Sequence, residues 1–359
     1  MNKKLLNLFL VMLPMAACTP IDTNEDVAGQ EPFTLSVDKT QIEANGVQVA
    51  TFKLVDANGV VLTDDASLMS KIYFINEQTG KRLPRKTKTF RSVEDGEYTF
   101  SATFSGKKSE NSVTIEAKNR KNYEVFRKNV CIYRFTATWC QNCPSMTQGL
   151  ERVDNWTKGR IVELGLHGAG STFQLTDGSR YVADYLLSHF GSPGFPSCVY
   201  DLSLMSSERA YSEIESIVFD RIALNPATCG IKATTAYNDG VLTLNAWLKT
   251  STGGKYDIAY ALLQDGCDGG AGAYEEVYDN VVKAISANYE YFSSAAATLD
   301  KNAEHQFVAL SQNVDIPASD DLSKYSIAVF ALKQEQDKAV IDNIVKMPLV
   351  NGTVDYIYN

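Results

Sequence analysis

Apolar and polar residues alternate over short distances in the first folded part of the chain, between residues 35 and 118. Val47, Val49 and Thr51 lie at every second position, and the turn sequence Asp56–Gly59 separates two further apolar runs. Short strands separated by Gly, Asn and Asp turns are typical of a β-sandwich. The pattern therefore predicts a small sandwich over residues 35–118.

Strands and helices alternate between residues 119 and 228. Val130–Phe135, Ile161–Leu166 and the shorter Cys198–Tyr200 are apolar runs that predict strands. Apolar residues at helical spacing predict three helices. The first helix is predicted from Met146, Leu150 and Val153, the second from Tyr181–His189, and the third from Ile214, Ile217, Val218 and Ile222. The pattern predicts an α/β domain.

From residue 229 to residue 359 the pattern again favours β-strands. Leu242, Leu244, Ala246 and Leu248 alternate with more polar positions. Further apolar strands are predicted at Ile258–Leu263, Phe307–Leu310, Ile327–Leu332 and Val340–Val345. Together they predict a C-terminal antiparallel β-sandwich. The Gly- and Asp-rich segment 265–272 lacks the ligand spacing of an EF-hand, so we expect a flexible loop rather than a calcium site.

The N-terminal segment 1–17 has the character of a signal peptide. Basic residues precede an apolar run, Leu5–Pro14, that is too short to span a bilayer. Leu13–Cys18 resembles a bacterial lipobox, which implies that Cys18 becomes a lipid anchor that holds the protein on a membrane. An ordinary signal peptide followed by an incidental cysteine is the alternative. Residues 18–34 are polar and aperiodic, and predict a flexible tether.

Composition narrows the classes of function. The chain has 359 residues, of which 44% are hydrophobic and 21% are charged, as in ordinary globular proteins. Because single cores stop growing beyond about 250–300 residues, the length predicts several domains. The formal net charge of −9 and the absence of a long Lys/Arg run disfavour a nucleic-acid partner. The sequence has no P-loop or dinucleotide fingerprint, so no cofactor is expected.

Two cysteines lie where the first central strand leads into the first helix. Cys140 and Cys143 are separated by two residues, and Pro144 suits the first helical turn. A helix N-terminus lowers the pKa of a thiol, and the thiolate is the nucleophile of disulfide exchange. We therefore expect Cys140 to attack a partner and Cys143 to resolve the mixed disulfide. One pair does not supply the four ligands of a structural zinc site, so no metal is expected.

The stretch from about Tyr123 to Leu224 resembles the thioredoxin fold. The resemblance rests on Trp139 and the Cys-x-x-Cys-Pro sequence that follows it, and on the later sequence Gly194–Ser197. It implies that Pro196 is cis and packs beside the cysteine pair. It also implies that Trp139 and Phe195 bind the substrate, with the backbone of Phe195 facing a substrate peptide.

Two residues near the pair leave alternatives open. Thioredoxins usually place a buried acid six residues before the first cysteine, where this chain has Arg134. A cation there could favour the thiolate or could face outward. His167 follows the second strand and could tune Cys140, join a metal site or be an ordinary loop residue.

Two further resemblances concern location. Leu35–Lys39 and Glu94–Tyr98 resemble bacterial immunoglobulin-like domains. Phe135–Pro144, together with Tyr274–Lys283, resembles the outer membrane protein 28-related family of bacterial lipoproteins over roughly residues 121–359. This resemblance implies an outer membrane lipoprotein of the cell envelope, and it does not assign a reaction. An acid is more common near Arg134 in that family, and a His where this chain has Asp279.

The remaining cysteines complete the set of seven. Cys229 and Cys267 lie in the last domain and could close a loop with a disulfide worth about 3–4 kcal/mol. Cys131 and Cys198 lie on predicted neighbouring strands, one at the start of its strand and the other close to Pro196. We therefore expect both to stay as buried thiols.

Two functions remain open from the sequence. The first is an envelope thiol–disulfide oxidoreductase that acts on protein thiols or disulfides through Cys140 and Cys143. The second is a surface-exposed binding or adhesion lipoprotein that binds surface ligands and in which the Cys140–Cys143 disulfide is structural. The sequence gives no oligomeric state.

Overall fold

The computed structural model describes residues 32–118, 125–191, 194–286, 293, 295–336 and 338–359. The predicted signal segment, Cys18 and most of the predicted tether lie outside these ranges. Most of the regular structure is strand, arranged in several sheets with few helices, so the prediction of a β-rich chain of several units is confirmed. In the part of the chain that is described, no helix is both long and apolar enough to cross a membrane.

The first unit consists of two sheets that share one apolar core. Its elements are β1 (Phe33–Val37), β2 (Gln41–Glu43), β3 (Ala50–Asp56), α1 (Ala66–Met69), β4 (Ile72–Asn76), β5 (Thr89–Phe90), β6 (Gly96–Phe104), β7 (Lys107–Lys108) and β8 (Val113–Lys118). One sheet has the order β1-β3-β5, and the other has the order β2-β8-β6-β4 with β7 paired to β6. Phe52 stacks on Phe74 and meets the edge of Phe100 between the sheets.

The central unit alternates strands and helices, as its sequence predicts. Its elements are β9 (Val130–Thr136), α2 (Cys143–Trp156), β10 (Ile161–His167), α3 (Asp177–Phe190), β11 (Ser197–Tyr200), β12 (Leu204–Ser206) and α4 (Tyr211–Leu224). Strands β9 and β10 are parallel, while β11 is antiparallel to β9 and to β12. Side chains of β9 alternate between two faces: Ile132 packs under α2 and α4, and Tyr133 packs with α3.

The C-terminal unit is built from strands. They are β13 (Cys229–Asn238), β14 (Val241–Thr250), β15 (Gly254–Gln264), β16 (Cys267–Asp268), β17 (Val277–Tyr278), β18 (Val281–Ile285), β19 (Ala297–Leu299), β20 (Glu304–Gln306), β21 (Leu310–Asn313), β22 (Tyr325–Glu335), β23 (Lys338–Pro348) and β24 (Thr353–Val354). One sheet has the order β20-β14-β13-β24 with β21 paired to β14. Its inward residues, such as Leu244 and Leu248, pack on Tyr260 and Val329 of β15 and β22.

The central and C-terminal units share one nine-stranded sheet. Its order is β12-β11-β9-β10-β18-β15-β22-β23, with β19 paired to β15. The junction is the pairing of Gly165 on β10 with Val281 on β18. The amide of Gly165 donates to the carbonyl of Asn280 at 2.8 Å, and a Cβ at position 165 would lie 2.9 Å from that oxygen. The predicted division at 228/229 therefore separates two chain segments within a continuous sheet.

The start of the segment 265–272 is bonded to the residues that precede β18. Strand β16 pairs with β17, the Asp279 carboxylate accepts from the Gly266 amide, and the Asp265 carboxylate accepts from the Asn280 amide, both at 2.7 Å. The flexibility expected for the whole segment stays a prediction.

The disulfide that Cys229 and Cys267 could have formed is absent, and both residues are buried free thiols. Cys229 begins β13, beside Tyr256 near the start of β15. Cys267 lies three residues after the end of β15. Because an extended chain advances about 3.3 Å per residue, the length of β15 keeps the two thiols roughly 25–30 Å apart. The prediction that Cys131 and Cys198 stay as buried thiols is confirmed.

Candidate functional site

A disulfide between Cys140 and Cys143 lies at the start of α2. The Sγ–Sγ distance is 2.08 Å, and Cys143 is the first residue of the helix. Strand β9 ends four residues before Cys140, so the sheet fixes the turn and the helix presents its N-terminus to the sulfurs. Cys143 is completely buried, and Cys140 is 5% exposed. Cys140 is therefore the more accessible cysteine of the pair, although by a small margin.

Two exposed aromatic rings lie beside the disulfide. Trp139 is 47% exposed and Phe195 is 36% exposed. Their ring centroids are 5.4 Å apart in an edge-to-face arrangement. The Trp139 indole N–H donates to the carbonyl of Ala169 at 3.0 Å, which fixes the ring. A Cβ at Gly168 would lie 2.6 Å from the Phe195 ring, so a side chain at this position would require the Phe195 ring to move.

Pro196 follows a cis peptide bond after Phe195, as the resemblance to thioredoxins implied. The next residue, Ser197, pairs with Phe135 on β9. The structure therefore brings Phe195 and Pro196 to the edge of the sheet from which the Cys140 turn leaves. Next to them lies a cavity of about 250 Å³, lined by the Phe195 ring and by residues of β10, α3 and the loop between them.

A chain of polar side chains holds the turn before Cys140. The Ser171 hydroxyl lies 2.9 Å from Nδ1 of His167 and accepts from the Thr138 amide at 3.1 Å. His167 is buried, with its ring against Phe173 and Tyr278. Burial, with further contributions from Arg134 and Lys283, lowers the pKa of His167 to about 3. His167 is therefore a neutral residue that positions the turn through Ser171.

Arg134 is buried under α2 and does not face outward. It is 1% exposed, and its Nε lies 2.6 Å from a carboxylate oxygen of Glu163 on β10. Cys198 on β11 lies opposite Arg134 in the strand register. The resemblance to thioredoxins implied an acid at this position, but the chain has a buried cation there, and its counter-ion Glu163 lies on the adjacent strand.

A segment of the C-terminal unit covers this end of the sheet. The Tyr274 amide donates to the carbonyl of Thr138 at 3.0 Å, two residues before Cys140. Glu275 follows, and interacts electrostatically with Arg134 and Glu163. Part of the C-terminal unit thus belongs to the surroundings of the cysteine pair.

Sequence reasoning found the cysteine pair, Pro196, Trp139 and Phe195, which the structure brings together at one edge. It missed Glu163, Ser171 and Glu275. A charged residue inside the apolar strand Ile161–Leu166 was an available signal for Glu163. No signal marked Ser171, and Glu275 lies within the Tyr274–Lys283 segment that supports a family resemblance, which gave it no role, because a loop and a distant segment bring these two residues to the site. Within the described ranges, no three Cys, His, Asp or Glu residues are grouped to hold a metal ion.

No protein-family model matches the chain, and no curated protein matches it. Among solved structures, HBP35 of Porphyromonas gingivalis is similar over 62% of this chain and 76% of its own length, with 17% identity and a TM-score of 0.49. Protein AGR_C_4864 from Agrobacterium tumefaciens is similar over 65% of this chain and 99% of its own length, with 13% identity and a TM-score of 0.42. Because both TM-scores are below 0.5, neither similarity carries an argument about this chain.

Proposed function

We propose that this protein is a cell-envelope thiol–disulfide oxidoreductase that exchanges disulfides with partner proteins through Cys140 and Cys143. The observation that carries the proposal is the disulfide at the N-terminus of α2, flanked by the exposed rings of Trp139 and Phe195. Single exposed aromatic rings are ordinary, but two in edge-to-face contact beside a disulfide form an apolar surface for a partner chain.

The chemistry follows from the position of the pair on the helix. In the reduced protein the helix N-terminus favours a thiolate at Cys140. That thiolate attacks a partner disulfide, forms a mixed disulfide and releases one partner thiolate. Cys143 then attacks the sulfur of Cys140, which restores the Cys140–Cys143 disulfide and releases the second partner thiol. The protein dithiol is oxidised and the partner disulfide is reduced.

The central unit is, in this proposal, a thioredoxin-like domain. Its support is the strand order β12-β11-β9-β10, with β9 and β10 parallel and with helices on both faces. The first unit is proposed to be an immunoglobulin-like spacer, supported by its two sheets and single core. The lipid anchor at Cys18, the outer membrane location and membership of the outer membrane protein 28-related family remain proposals that rest on the sequence.

Trapping of partners tests the proposal. With Cys143 replaced by Ala, the mixed disulfide at Cys140 cannot be resolved, so partner proteins should accumulate as reducible adducts. The purified protein should also reduce the disulfides of insulin in the presence of a dithiol. Cys140→Ser should abolish both results.

Cys198→Ala is the matched control, because it removes a buried thiol on the adjacent strand and leaves the pair intact. It should keep the insulin activity of the unchanged protein. If the folded protein neither reduces insulin nor forms adducts as Cys143→Ala, the oxidoreductase proposal is wrong.

One observation favours the second candidate, a binding or adhesion lipoprotein with a structural disulfide. Cys140 is only 5% exposed in the disulfide form, so a partner sulfur has little surface to approach. This candidate predicts that binding to the cell surface or to a surface ligand survives the double change Cys140→Ser with Cys143→Ser. It also predicts that the native disulfide resists dithiols until the protein unfolds.

A further inference from the structure

Two adjoining cavities lie between the first unit and the central unit, and neither Cys140 nor Cys143 lines them. Their volumes are about 330 Å³ and about 470 Å³, and Trp156 and Glu215 line both of them. The smaller cavity lies where residues 81–84 of the first unit face α2 and α4. Small-molecule sites in proteins have volumes of about 300–1,000 Å³, so this cavity is large enough for a small ligand.

The smaller cavity has apolar walls that come from both units. The first unit supplies Leu83 and Pro84, and the central unit supplies Val153, Trp156 and Tyr211. The Tyr211 hydroxyl donates to the carbonyl of Arg82 at 3.2 Å, so a hydrogen bond joins the two units beside the cavity. A binding site of this kind typically has mostly apolar walls and a few polar groups that orient the ligand.

Lys81, Arg82 and Arg152 supply positive charge at the rim of this cavity. All of them are exposed, and among the described residues none of them forms an ion pair. The Arg82 guanidinium lies 4.7 Å from the centroid of the Tyr73 ring. The Lys81 ammonium lies 6.0 Å from the centroid of the Trp156 ring. The whole chain has a net charge of −9, so its composition does not account for this local excess of cations.

Glu215 is the acidic residue that lines the smaller cavity. It is half-buried, and within the described ranges no hydrogen bond or ion pair holds its carboxyl group. Burial raises its pKa to about 7, against the opposing effect of Arg91. Besides the three cations at the rim, the titratable groups that line the two cavities around it are Arg85, Arg91, Glu213 and Tyr211. Near neutral pH the positive charge at the rim therefore exceeds the negative charge of Glu215.

We propose that the smaller cavity binds a small amphipathic organic anion. Its apolar body would lie against Trp156 and residues 83–84, and its acidic group, such as a carboxylate, would face the three cations at the rim. An inorganic anion would leave the apolar walls unused, and a cationic ligand would meet three like charges. The proposal goes beyond the thiol chemistry and does not depend on it. Because the walls come from both units, the bound ligand also stabilises their junction.

Two fluorescent probes test this proposal, 8-anilinonaphthalene-1-sulfonate and the uncharged N-phenyl-1-naphthylamine. They share an apolar body and differ in the sulfonate group. In the whole chain with Trp139→Phe and Trp247→Phe, Trp156 is the remaining tryptophan. We expect saturable binding of the sulfonate probe, with energy transfer from Trp156 to the bound probe.

The double change Arg82→Gln with Arg152→Gln removes one rim cation from each unit. It should weaken binding of the sulfonate probe about 10-fold, because each exposed charge contributes modestly. Binding of the uncharged probe should stay the same, which shows that the cavity is still formed. Lys53→Gln with Arg209→Gln is the matched control, because both residues are exposed cations, one in each unit, that do not line the cavities. It should leave both affinities unchanged.

Glu215→Gln gives a second measurement of charge inside the cavity. It removes the carboxylate that forms as the pH rises, so it should tighten binding of the sulfonate probe about threefold at pH 8 and leave it unchanged at pH 5. Equal affinities at pH 8 in this variant and the unchanged protein would contradict the placement of the anion in this cavity. Equal affinities in the Arg82/Arg152 double variant and the unchanged protein would overturn the proposal. So would probe emission without energy transfer from Trp156, because the probe would then lie on another surface, such as the exposed Phe195 ring.

Discussion

The first unit and the C-terminal unit meet the central unit in opposite ways. In the described residues, the sheets of the first unit contain only its own strands, and most of its buried apolar residues form a core of their own, although Val93 packs in the core of the central unit. The C-terminal unit instead continues the central sheet through β18, and one apolar cluster contains residues of both. The sequence pattern predicts a domain boundary at both junctions. Only the first junction, between the first and central units, separates one set of sheets from another.

Among the described residues, side-chain contacts rather than a shared β-ladder join the first unit to the central unit. Arg160 lies 2.6 Å from the Glu94 carboxylate, and Arg91 lies 3.2 Å from Asp220. Trp156 packs against the cores of both units. Such contacts can separate without the loss of a β-ladder, so we expect this junction to open at a lower free energy than the shared sheet.

Removal of the buried cation Lys128 should lower the stability of the sheet shared by the central and C-terminal units, and we expect this to be the largest effect. The ammonium group of Lys128 lies 3.1 Å from the Asp201 carboxylate and donates to the carbonyls of Ile341 and Asp342 on β23. Lys128→Met leaves the Asp201 carboxylate buried without its counter-ion, and should lower the free energy of unfolding by about 3–5 kcal/mol. Urea denaturation followed by circular dichroism measures the loss.

Lys53→Met is the control for this change, because Lys53 is an exposed lysine of β3. Its effect should stay within about 0.5 kcal/mol. A loss of similar size in both variants would show that the buried pair at Lys128 does not stabilise the shared sheet.

A change at Glu94 should weaken the first junction instead. Glu94→Gln removes the charge that faces Arg160, whose guanidinium keeps its bonds to the carbonyls of Lys128 and Val93. The expected cost is about 1.5–3 kcal/mol. With Trp139 and Trp247 replaced by Phe, the fluorescence of Trp156 should then change at a lower urea concentration than the circular dichroism. Coincident transitions would contradict a separable junction.

This contrast also shows what the sequence could predict. Periodicity predicted most strands and helices of the central unit, and the spacing of Cys140 and Cys143 predicted the site. Periodicity is local, however, and the pairing of Gly165 with Val281 joins segments more than a hundred residues apart. The same limit explains why the sequence left a disulfide between Cys229 and Cys267 open, since nothing in the spacing shows that β15 separates them. Glu275 was missed for the same reason.

The two junctions should respond to pH in opposite directions. The junction between the central and C-terminal units, which share a sheet, should lose stability in acid. His167 contacts Tyr278 of the C-terminal unit, and its pKa is lowered to about 3. Between pH 3 and 6.5 the unfolded chain binds more protons at this residue than the folded chain, so stability falls as the pH falls through this range. At pH 5 the loss from His167 should be about 2 kcal/mol. His167→Gln, compared with the unchanged protein in urea at pH 5 and pH 7.5, should remove that part of the loss. An equally steep pH dependence in the variant would contradict this assignment.

The first junction should instead lose stability as the pH rises, through Glu215. This residue lies on α4 in a cleft of about 470 Å³ between the first and central units. Burial raises its pKa to about 7, and Arg91 opposes that rise. Between pH 4.5 and 7 the folded chain binds more protons at Glu215 than the unfolded chain, so stability falls as the pH rises through this range. Because the cleft is open to water, we expect a contribution of about 1 kcal/mol at pH 8.

Glu215→Gln should therefore stabilise the protein at pH 8 and leave it unchanged at pH 4, measured by the fluorescence of Trp156 in urea. Glu213→Gln is the control, because Glu213 is exposed on the same helix and lines the same cleft. It should give the same difference from the unchanged protein at both pH values. A Glu215 variant with no gain at pH 8 would mean that the carboxylate is already solvated or paired in the folded protein. Glu215 would then contribute no pH dependence to the first junction, and the contrast would rest on His167 alone.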